Sequence, residues 1–180
     1  MSKFNKYIKE KKMMGSTMIG FGIDESKVDR TVEYIASWFD RYKVPYEKIE
    51  KKHISVAMIT DKVKKDELVR LVNSISTTPF VFRPKKITML YGKFEYDFLA
   101  LELKKPKNYE ELHNKIKNKY NVVEFQGGMK PHISLLKFPS GIATDEFMAD
   151  IIRNISLPKD IKAKKVELWG PKFNIDYSKK

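Results

Sequence analysis

The sequence has 180 residues and no cysteine, and 36 Lys and Arg against 23 Asp and Glu give a formal net charge of +13 at pH 7. Hydrophobic residues form 42% of the chain, which is enough to fill a core and excludes intrinsic disorder, and the length fits one domain or one compact pair of lobes. The lack of cysteine excludes disulfides, thiolate nucleophiles, zinc–thiolate sites and iron–sulfur clusters.

The positive charge favours partners that carry phosphates, because it raises the local concentration of anions. Most of the cations are Lys, which suits diffuse attraction and solubility as well as it suits a defined binding groove. No apolar run reaches the roughly 18 to 20 residues that span a bilayer, and the basic residues 1–15 lack the apolar segment of a secretory signal. We therefore expect a cytoplasmic protein without a membrane partner, preceded by an N-terminal arm at 1–15 that is flexible or lies over nucleic acid.

The first half of the chain predicts a strand, a helix, a strand, a helix and a strand. Residues 18–23 indicate the first strand, and Asp24 and Ser26 offer N-cap oxygens to a helix whose apolar residues recur every three or four positions. Residues 53–59 are typical of a compact strand, and after a second amphipathic helix residues 87–91 indicate a third. The apolar positions of the first helix are Val28, Val32, Ile35, Phe39 and Tyr42.

The second half predicts the same five elements in the same order. Residues 98–103 indicate a strand, and Asn108 is positioned to cap the helix that follows. Residues 132–138 indicate the next strand, Thr144 caps a further helix, and residues 166–169 close the half as a strand.

Matching residues support an internal duplication. The shift that brings His53 onto His132 also brings the Lys-Lys-Ile of 85–87 onto the Lys-Lys-Val of 164–166. Matched element order, spacing and strand endings together favour a repeat over chance. We therefore predict an α+β fold in which residues 16–180 form one bilobal domain, with lobes at about 16–92 and 93–180, mainly antiparallel sheets and helices on the outer faces.

Each half carries a His-x-Ser motif at the start of a predicted strand. The motifs read His53-Ile54-Ser55-Val56 and His132-Ile133-Ser134-Leu135, and alternation along a strand turns each imidazole and its hydroxyl to one face. A single such pair is usually a packed strand histidine, but two at equivalent points of a repeat indicate function. The third histidine, His113, lies on a predicted helix and is assigned no catalytic role, so a transition-metal site is poorly supported.

Two imidazoles across a cleft suit phosphodiester cleavage. The reaction needs a base for the attacking hydroxyl and an acid for the leaving oxygen on opposite sides of phosphorus, and an ordinary histidine pKa of about 6.5 allows both states near neutral pH. Ser55 and Ser134 would donate hydrogen bonds to the non-bridging oxygens. We expect His53 and His132 to supply base and acid in an order that the symmetric pattern leaves open, with no metal or cofactor.

Four further residues are candidates for substrate binding. Lys52 and Lys130 precede the two motifs, where an ammonium could meet a phosphate, and they are secondary candidates because ordinary solvated lysines in so Lys-rich a chain explain them better. Tyr91 and Trp169 end equivalent strands and could stack on nucleobases, or could belong to the core.

The two motifs and the duplicated layout, from the strand at 18 to the strand ending at 169, closely resemble the two-histidine (2H) phosphoesterase superfamily. The resemblance implies a bilobal fold that cleaves phosphodiesters next to a ribose hydroxyl without a metal, as cyclic phosphodiesterases and RNA 2′-5′ ligases do. The Asp-capped first helix, Val44-Pro45 and the Pro-His-Ile-Ser form of the second motif also resemble the phage anti-CBASS nucleases, which degrade cyclic oligonucleotide immune signals.

We therefore expect a hydrolase that cleaves 3′-5′ RNA-type bonds in cyclic or short oligonucleotides used as defence signals, acting in the host cytoplasm if a phage encodes it. A first alternative is an enzyme that processes 2′,3′-cyclic phosphate or 2′-5′ linked RNA ends. A second is a non-catalytic module that binds nucleotides or RNA. No obligate protein partner is expected.

Overall fold

The computed structural model describes residues 17–61, 63–75, 79–91, 95–123 and 130–169, and the predicted arm at 1–15 lies outside them. Within these residues the α+β class is confirmed. The strands are β1 (Thr17–Ile23), β2 (Glu47–Lys48), β3 (His53–Ile59), β4 (Val81–Leu90), β5 (Tyr96–Lys104), β6 (His132–Pro139) and β7 (Ile161–Trp169). The helices are α1 (Ser26–Arg41), α2 (Lys65–Asn73), α3 (Lys107–Lys119) and α4 (Asp145–Arg153). None of these helices is long and apolar enough to cross a membrane.

The strands form one antiparallel sheet in the order β2-β6-β5-β4-β7-β1-β3. The two central strands, β4 and β7, share only the pairs Val81↔Lys162 and Phe82↔Ile161, so the sheet has two parts joined at this short seam. Strand β4 from the first half of the chain pairs along its length with β5, whereas β7 from the second half pairs with β1. The last strand of each half therefore pairs with a strand of the other half. As a result, the two parts of the sheet do not coincide with residues 16–92 and 93–180.

The helices cross between the halves in the same way. Helix α1 packs against β6, and its Phe39 ring lies 5.2 Å from Phe138 and 5.0 Å from Phe147. Helix α3 packs against β3, with the Tyr109 ring 5.9 Å from Phe82. These side chains belong to one hydrophobic core, in which a buried Phe contributes roughly 1.5–3 kcal/mol. The packing of α1 and α3 on strands of the opposite half therefore holds the two halves of the chain together.

The two motif strands meet although they are far apart in the strand order. Strand β6 is second and β3 is last, yet Cα atoms of the two strands come within 8 Å of one another. The sheet therefore curls and brings together the two strands that carry the motifs. Neither motif sequence by itself predicts this contact between β3 and β6.

Helix starts agree only in part with the sequence-based predictions. The Thr144 hydroxyl accepts a hydrogen bond of 3.2 Å from the Phe147 backbone N–H, which confirms the predicted cap of α4. The cap predicted at Asn108 is wrong, because α3 already begins at Lys107 after Pro106. The hydroxyl of Ser26 donates to the carboxylate of Asp24, and no side chain caps α1.

The apolar face of α1 is confirmed at four of its five predicted positions. Val28, Val32, Ile35 and Phe39 are buried. Tyr42 follows the helix and is 47% exposed, and its hydroxyl donates to the carboxylate of Asp150 at 3.0 Å. The helical period fails at this position because the helix ends one residue earlier.

We predict that Thr144→Ala lowers the free energy of unfolding by about 1 kcal/mol, because the Phe147 N–H loses its capping acceptor. Asn108→Ala is the matched control and should change stability by less than about 0.5 kcal/mol, since its side chain caps nothing. Urea denaturation of the three proteins measures both values. Equal losses in the two variants would contradict this account of the helix starts.

Candidate active site

The first motif lies on β3, opposite two glycines of β1. His53 pairs with Gly22 and Ser55 pairs with Gly20, and directly opposed residues of antiparallel strands project from the same face. Ile54 projects to the other face and is fully buried. Neither glycine places a side chain beside the imidazole or the hydroxyl.

The second motif lies on β6 in the corresponding arrangement with β5. His132 pairs with Glu102 and Ser134 pairs with Ala100. Ala100 places only a small side chain beside the hydroxyl, whereas the position beside the imidazole carries a carboxylate. In the described part of the chain, the hydroxyls of Ser55 and Ser134 have no hydrogen-bond partner, so both can donate to a ligand.

Both imidazoles are held by the same backbone contact. Nδ1 of His132 lies 2.9 Å from the carbonyl oxygen of Lys130, and Nδ1 of His53 lies 3.4 Å from that of Lys51, which makes the second bond the weaker one. A carbonyl oxygen can only accept, so Nδ1 carries the proton in each ring. In the neutral imidazole, Nε2 is then the basic nitrogen.

The two histidines also interact electrostatically. Burial is the main cause that lowers the pKa of His53 below its ordinary value of about 6.5, and the positive charge of His132 lowers it further. The carbonyl of Lys51 and the carboxylate of Glu167 act in the opposite direction. Together with the contact between β3 and β6, this interaction brings the two motifs into one candidate site.

Glu167 on β7 is a site residue that the sequence analysis missed. It pairs with Gly20, is only 4% exposed, and its Oε1 lies where a side chain at position 22 would stand, 2.7 Å from the Cβ position of Gly22. Its Oε2 lies 3.4 Å from Nζ of Lys51 but is buried without a hydrogen bond. The alternating glycines of β1 were the available signal, since glycine in a strand often marks the close approach of another group.

Glu102 is the carboxylate of the opposite wall. Its Oε1 accepts a hydrogen bond of 2.6 Å from Lys85, and this bond is the main cause that lowers the pKa of Glu102. Nζ of Lys86 lies 3.9 Å from the other oxygen. Each motif histidine thus has one nearby carboxylate, but the two carboxylates come from different positions of the repeat.

Helix α3 supports β3 from behind. The Tyr109 hydroxyl donates to the carbonyl of Ser55 at 3.1 Å, and Nδ1 of His113 lies 3.1 Å from the carbonyl of Val56. The register between β1 and β3 shifts at this point, so these side chains satisfy carbonyls at an irregular part of the ladder. The role of His113 is therefore structural.

The candidates for substrate binding are distributed unevenly. Lys52 is only 8% exposed, and its ammonium donates to the carboxylate of Glu25 at 3.3 Å. Lys130 is exposed. Tyr91 is 76% exposed. Lys86 of β4 pairs with Glu102, which pairs with His132, and Tyr91 lies five residues beyond Lys86. Tyr91 is therefore roughly 17 Å along the strand direction from the level of His132. The backbone of Trp169 pairs with Met18 at the end of β7, and its side chain lies outside the described structure.

Potential metal ligands do not cluster in the described ranges. Within them, no group of three or more His, Asp and Glu side chains could hold a metal ion. The candidate site in these residues combines the imidazoles and hydroxyls of the two motifs with Glu102, Glu167 and the lysines near them.

The fold is similar to that of several solved structures. A structure of Kluyveromyces marxianus Usb1 has a TM-score of 0.59 at 10% identity, and another, with uridine monophosphate, has 0.57 at 9%; both alignments cover 91% of this chain and 98% of the Usb1 chain. TT0787 of Thermus thermophilus has a TM-score of 0.52 at 10% identity over 85% of this chain and 86% of its own. These proteins are 2H phosphoesterases. The chain has the 2H phosphoesterase fold.

The 2H phosphoesterase fold predicted from the two motifs is thereby confirmed, and the resemblance to the anti-CBASS branch stays a prediction. No protein-family model and no curated protein sequence matches the chain.

We predict that Glu167→Gln lowers the pKa of His53 further, because the buried negative charge that favours the imidazolium is removed. Histidine side-chain NMR across a pH titration measures this shift. Glu111→Gln on the exposed face of α3 is the control and should leave the titration of His53 unchanged. A pKa that stays constant or rises in the Glu167 variant would show that the carboxylate does not act on the ring.

Proposed function

We propose that this protein is a metal-independent phosphodiesterase that cleaves 3′-5′ RNA-type phosphodiester bonds by general acid–base catalysis. The observation that carries the proposal is the pair of His-x-Ser segments on β3 and β6, whose imidazoles are oriented alike by backbone carbonyls and interact electrostatically. The fold shared with Usb1, which has been solved with uridine monophosphate, supports a nucleotide ligand.

The reaction is written for a substrate with a free 2′-hydroxyl. The hydroxyl oxygen attacks phosphorus while Nε2 of one histidine takes its proton, and Nε2–H of the other protonates the departing 5′-oxygen. The products are a 2′,3′-cyclic phosphate and a free 5′-hydroxyl. Ser55 and Ser134 donate hydrogen bonds to the non-bridging oxygens, which carry increased negative charge in the transition state.

The surroundings of His53 suit the base in this first step. Burial lowers its pKa, so the ring is neutral and its Nε2 is basic at neutral pH. The nearby carboxylate of Glu167 then stabilises the imidazolium that forms when the proton arrives. His132 is thereby assigned the acid, and the two roles exchange when water opens the cyclic phosphate.

Lysines beside the site would hold the substrate. Lys51 is equivalent to Lys130, since each lies two residues before its histidine and supplies the carbonyl that orients the ring. Lys51 therefore takes the place predicted for Lys52, whose ammonium is bound by Glu25. Tyr91 and Trp169 remain proposed stacking positions, at the ends of β4 and β7 away from the seam.

The finer proposal is that the RNA-type bond belongs to a cyclic oligonucleotide defence signal. It rests on the sequence resemblance of the first helix, Val44-Pro45 and the second motif. Processing of 2′,3′-cyclic phosphate or 2′-5′ linked RNA ends uses the same two histidines and is the alternative.

A substrate panel in the presence of EDTA tests the function. It contains cyclic di- and trinucleotides, 2′,3′-cyclic nucleotides, 2′-5′ linked RNA, linear 3′-5′ RNA and the matching DNA, and the products are resolved by chromatography. Cleavage of RNA-type bonds with intact DNA supports the proposal, and the substrate that is cleaved selects among its finer forms. Binding without any product would instead indicate a non-catalytic module.

We predict that His53→Ala and His132→Ala each reduce kcat by about 10² to 10⁴, because each removes one proton transfer. Ser55→Ala and Ser134→Ala should each reduce it by about 10² through lost transition-state hydrogen bonds. His113→Gln, which keeps a donor for the Val56 carbonyl, is the matched control and should keep near-normal turnover. Near-normal turnover in either catalytic histidine variant would refute the pairing, provided that circular dichroism shows it folded.

A further inference from the structure

An open pocket of about 390 Å³ adjoins the second motif. Its lining comes from β4, the end of β5 and the segment just before β6, and it includes four lysines and one carboxylate. These residues are Lys85, Lys104, Lys105, Lys130 and Glu102. Of these residues, only Lys130 was a candidate for substrate binding on the sequence alone.

The pocket lies next to His132 in the fold, because the chain neighbour Pro131 and the strand partner Glu102 both line it. Glu102 is the strand partner of His132, and the Lys130 carbonyl accepts the hydrogen bond from its Nδ1. Lys104 lies two residues beyond Glu102 and on the same face of β5, which places it roughly 7 Å further along the strand. This distance is close to the separation of neighbouring phosphates in an extended single strand.

The pocket has an excess of positive charge. Its one carboxylate, Glu102, is bonded to Lys85 at 2.6 Å, and Lys105 lies 3.4 Å from Glu110. In the part of the chain that the structure describes, no carboxylate lies within 4.0 Å of the ammonium of Lys104 or of Lys130. Two ammonium groups are therefore left to attract an anion, and the concave wall concentrates their field.

The wall of the first motif differs in this respect. Lys51, the counterpart of Lys130, has the buried carboxylate of Glu167 at 3.4 Å from its ammonium. Lys165 lies 4.0 Å from the same carboxylate, so these two lysines of the described chain each have a carboxylate within 4.0 Å, whereas Lys104 and Lys130 on the side of His132 do not. Lysines that served only solubility would not be expected to show this asymmetry around a catalytic pair.

We propose that this pocket binds the phosphate next to the scissile one, on the side of His132. The inference rests on the proposed function and specifies its substrate class: an oligonucleotide with at least two phosphodiester linkages is preferred to a dinucleotide with one. The ligand is the phosphate charge itself, so nucleobase identity does not matter in this pocket.

Binding is measured first, with oligonucleotides that cannot react because every ribose is 2′-O-methylated. The probes are a fluorescent dinucleotide, two trinucleotides extended at the 5′ or the 3′ side, and the same trinucleotides with an uncharged methylphosphonate as the added linkage. We expect one of the two extensions to tighten binding about tenfold, and the methylphosphonate to abolish that gain. Equal affinity for the dinucleotide and all trinucleotides would overturn the proposal.

The protein side of the test uses Lys104→Ala. It should remove most of the gain from the favoured extension and reduce the slope of log affinity against log salt concentration by about 0.7 for that trinucleotide. Lys115→Ala, which removes an exposed lysine of α3 paired with Glu111, is the matched charge control and should leave both unchanged. If both variants lose the same affinity for that trinucleotide, the loss reflects only the change in net charge, and the proposal of a specific pocket is contradicted.

Cleavage assays then separate this inference from the proposed function. Their substrates carry one free 2′-hydroxyl, at the bond to be cut, with and without the favoured extension. A higher kcat/KM for the extended substrate, lost in Lys104→Ala, supports both proposals. A binding preference without any cleavage would refute the phosphodiesterase and leave the pocket standing, whereas cleavage without a length preference would refute the pocket alone.

Discussion

The hydrogen bond from each imidazole Nδ1 to the carbonyl two residues earlier is the contact on which the chemistry of this site depends. Because the acceptor is a backbone carbonyl, the bond fixes the tautomer as well as the orientation of His53 and His132. The backbone before β3 and β6 thereby orients both rings so that Nε2 is the basic nitrogen of each neutral imidazole. The packing of the helices brings β3 and β6 together, and nearby carboxylates change the electrostatic environment of the two histidines.

The exchange of strands and helices between the halves brings the motifs together. Apolar packing of α1 on β6 and of α3 on β3 ties each motif strand to the other half, and the short seam between β4 and β7 lets the sheet curl. The walls nevertheless differ. A carboxylate opposes His132 directly through Glu102, whereas Gly22 opposes His53 and makes room for Glu167 from the next strand. This asymmetry supports distinct roles for two histidines that the repeat alone treats as equal.

Local patterns of the sequence predicted the local features well. Alternation placed His53 and Ser55 on one face of a strand, and the cap at Thr144 was confirmed by its bond to Phe147. Features that depend on which strands pair could not be read from the sequence. The carboxylate of Glu167 reaches the site only because β7 crosses to β1, and the predicted strand at 87–91 begins six residues earlier, at Val81, because β4 also forms the seam. The contact of Lys52 with Glu25 was likewise not readable from the sequence, because it depends on how the start of α1 lies against the segment before β3.

A crystal structure of the protein with a 2′-O-methylated dinucleotide tests the central claim most directly. The account predicts that the phosphorus lies between the two Nε2 atoms, with the hydroxyls of Ser55 and Ser134 on the non-bridging oxygens and Nε2 of His53 nearest the blocked 2′-oxygen. A phosphate bound away from both rings, or imidazoles turned from one another with their Nδ1–carbonyl bonds broken, would contradict it.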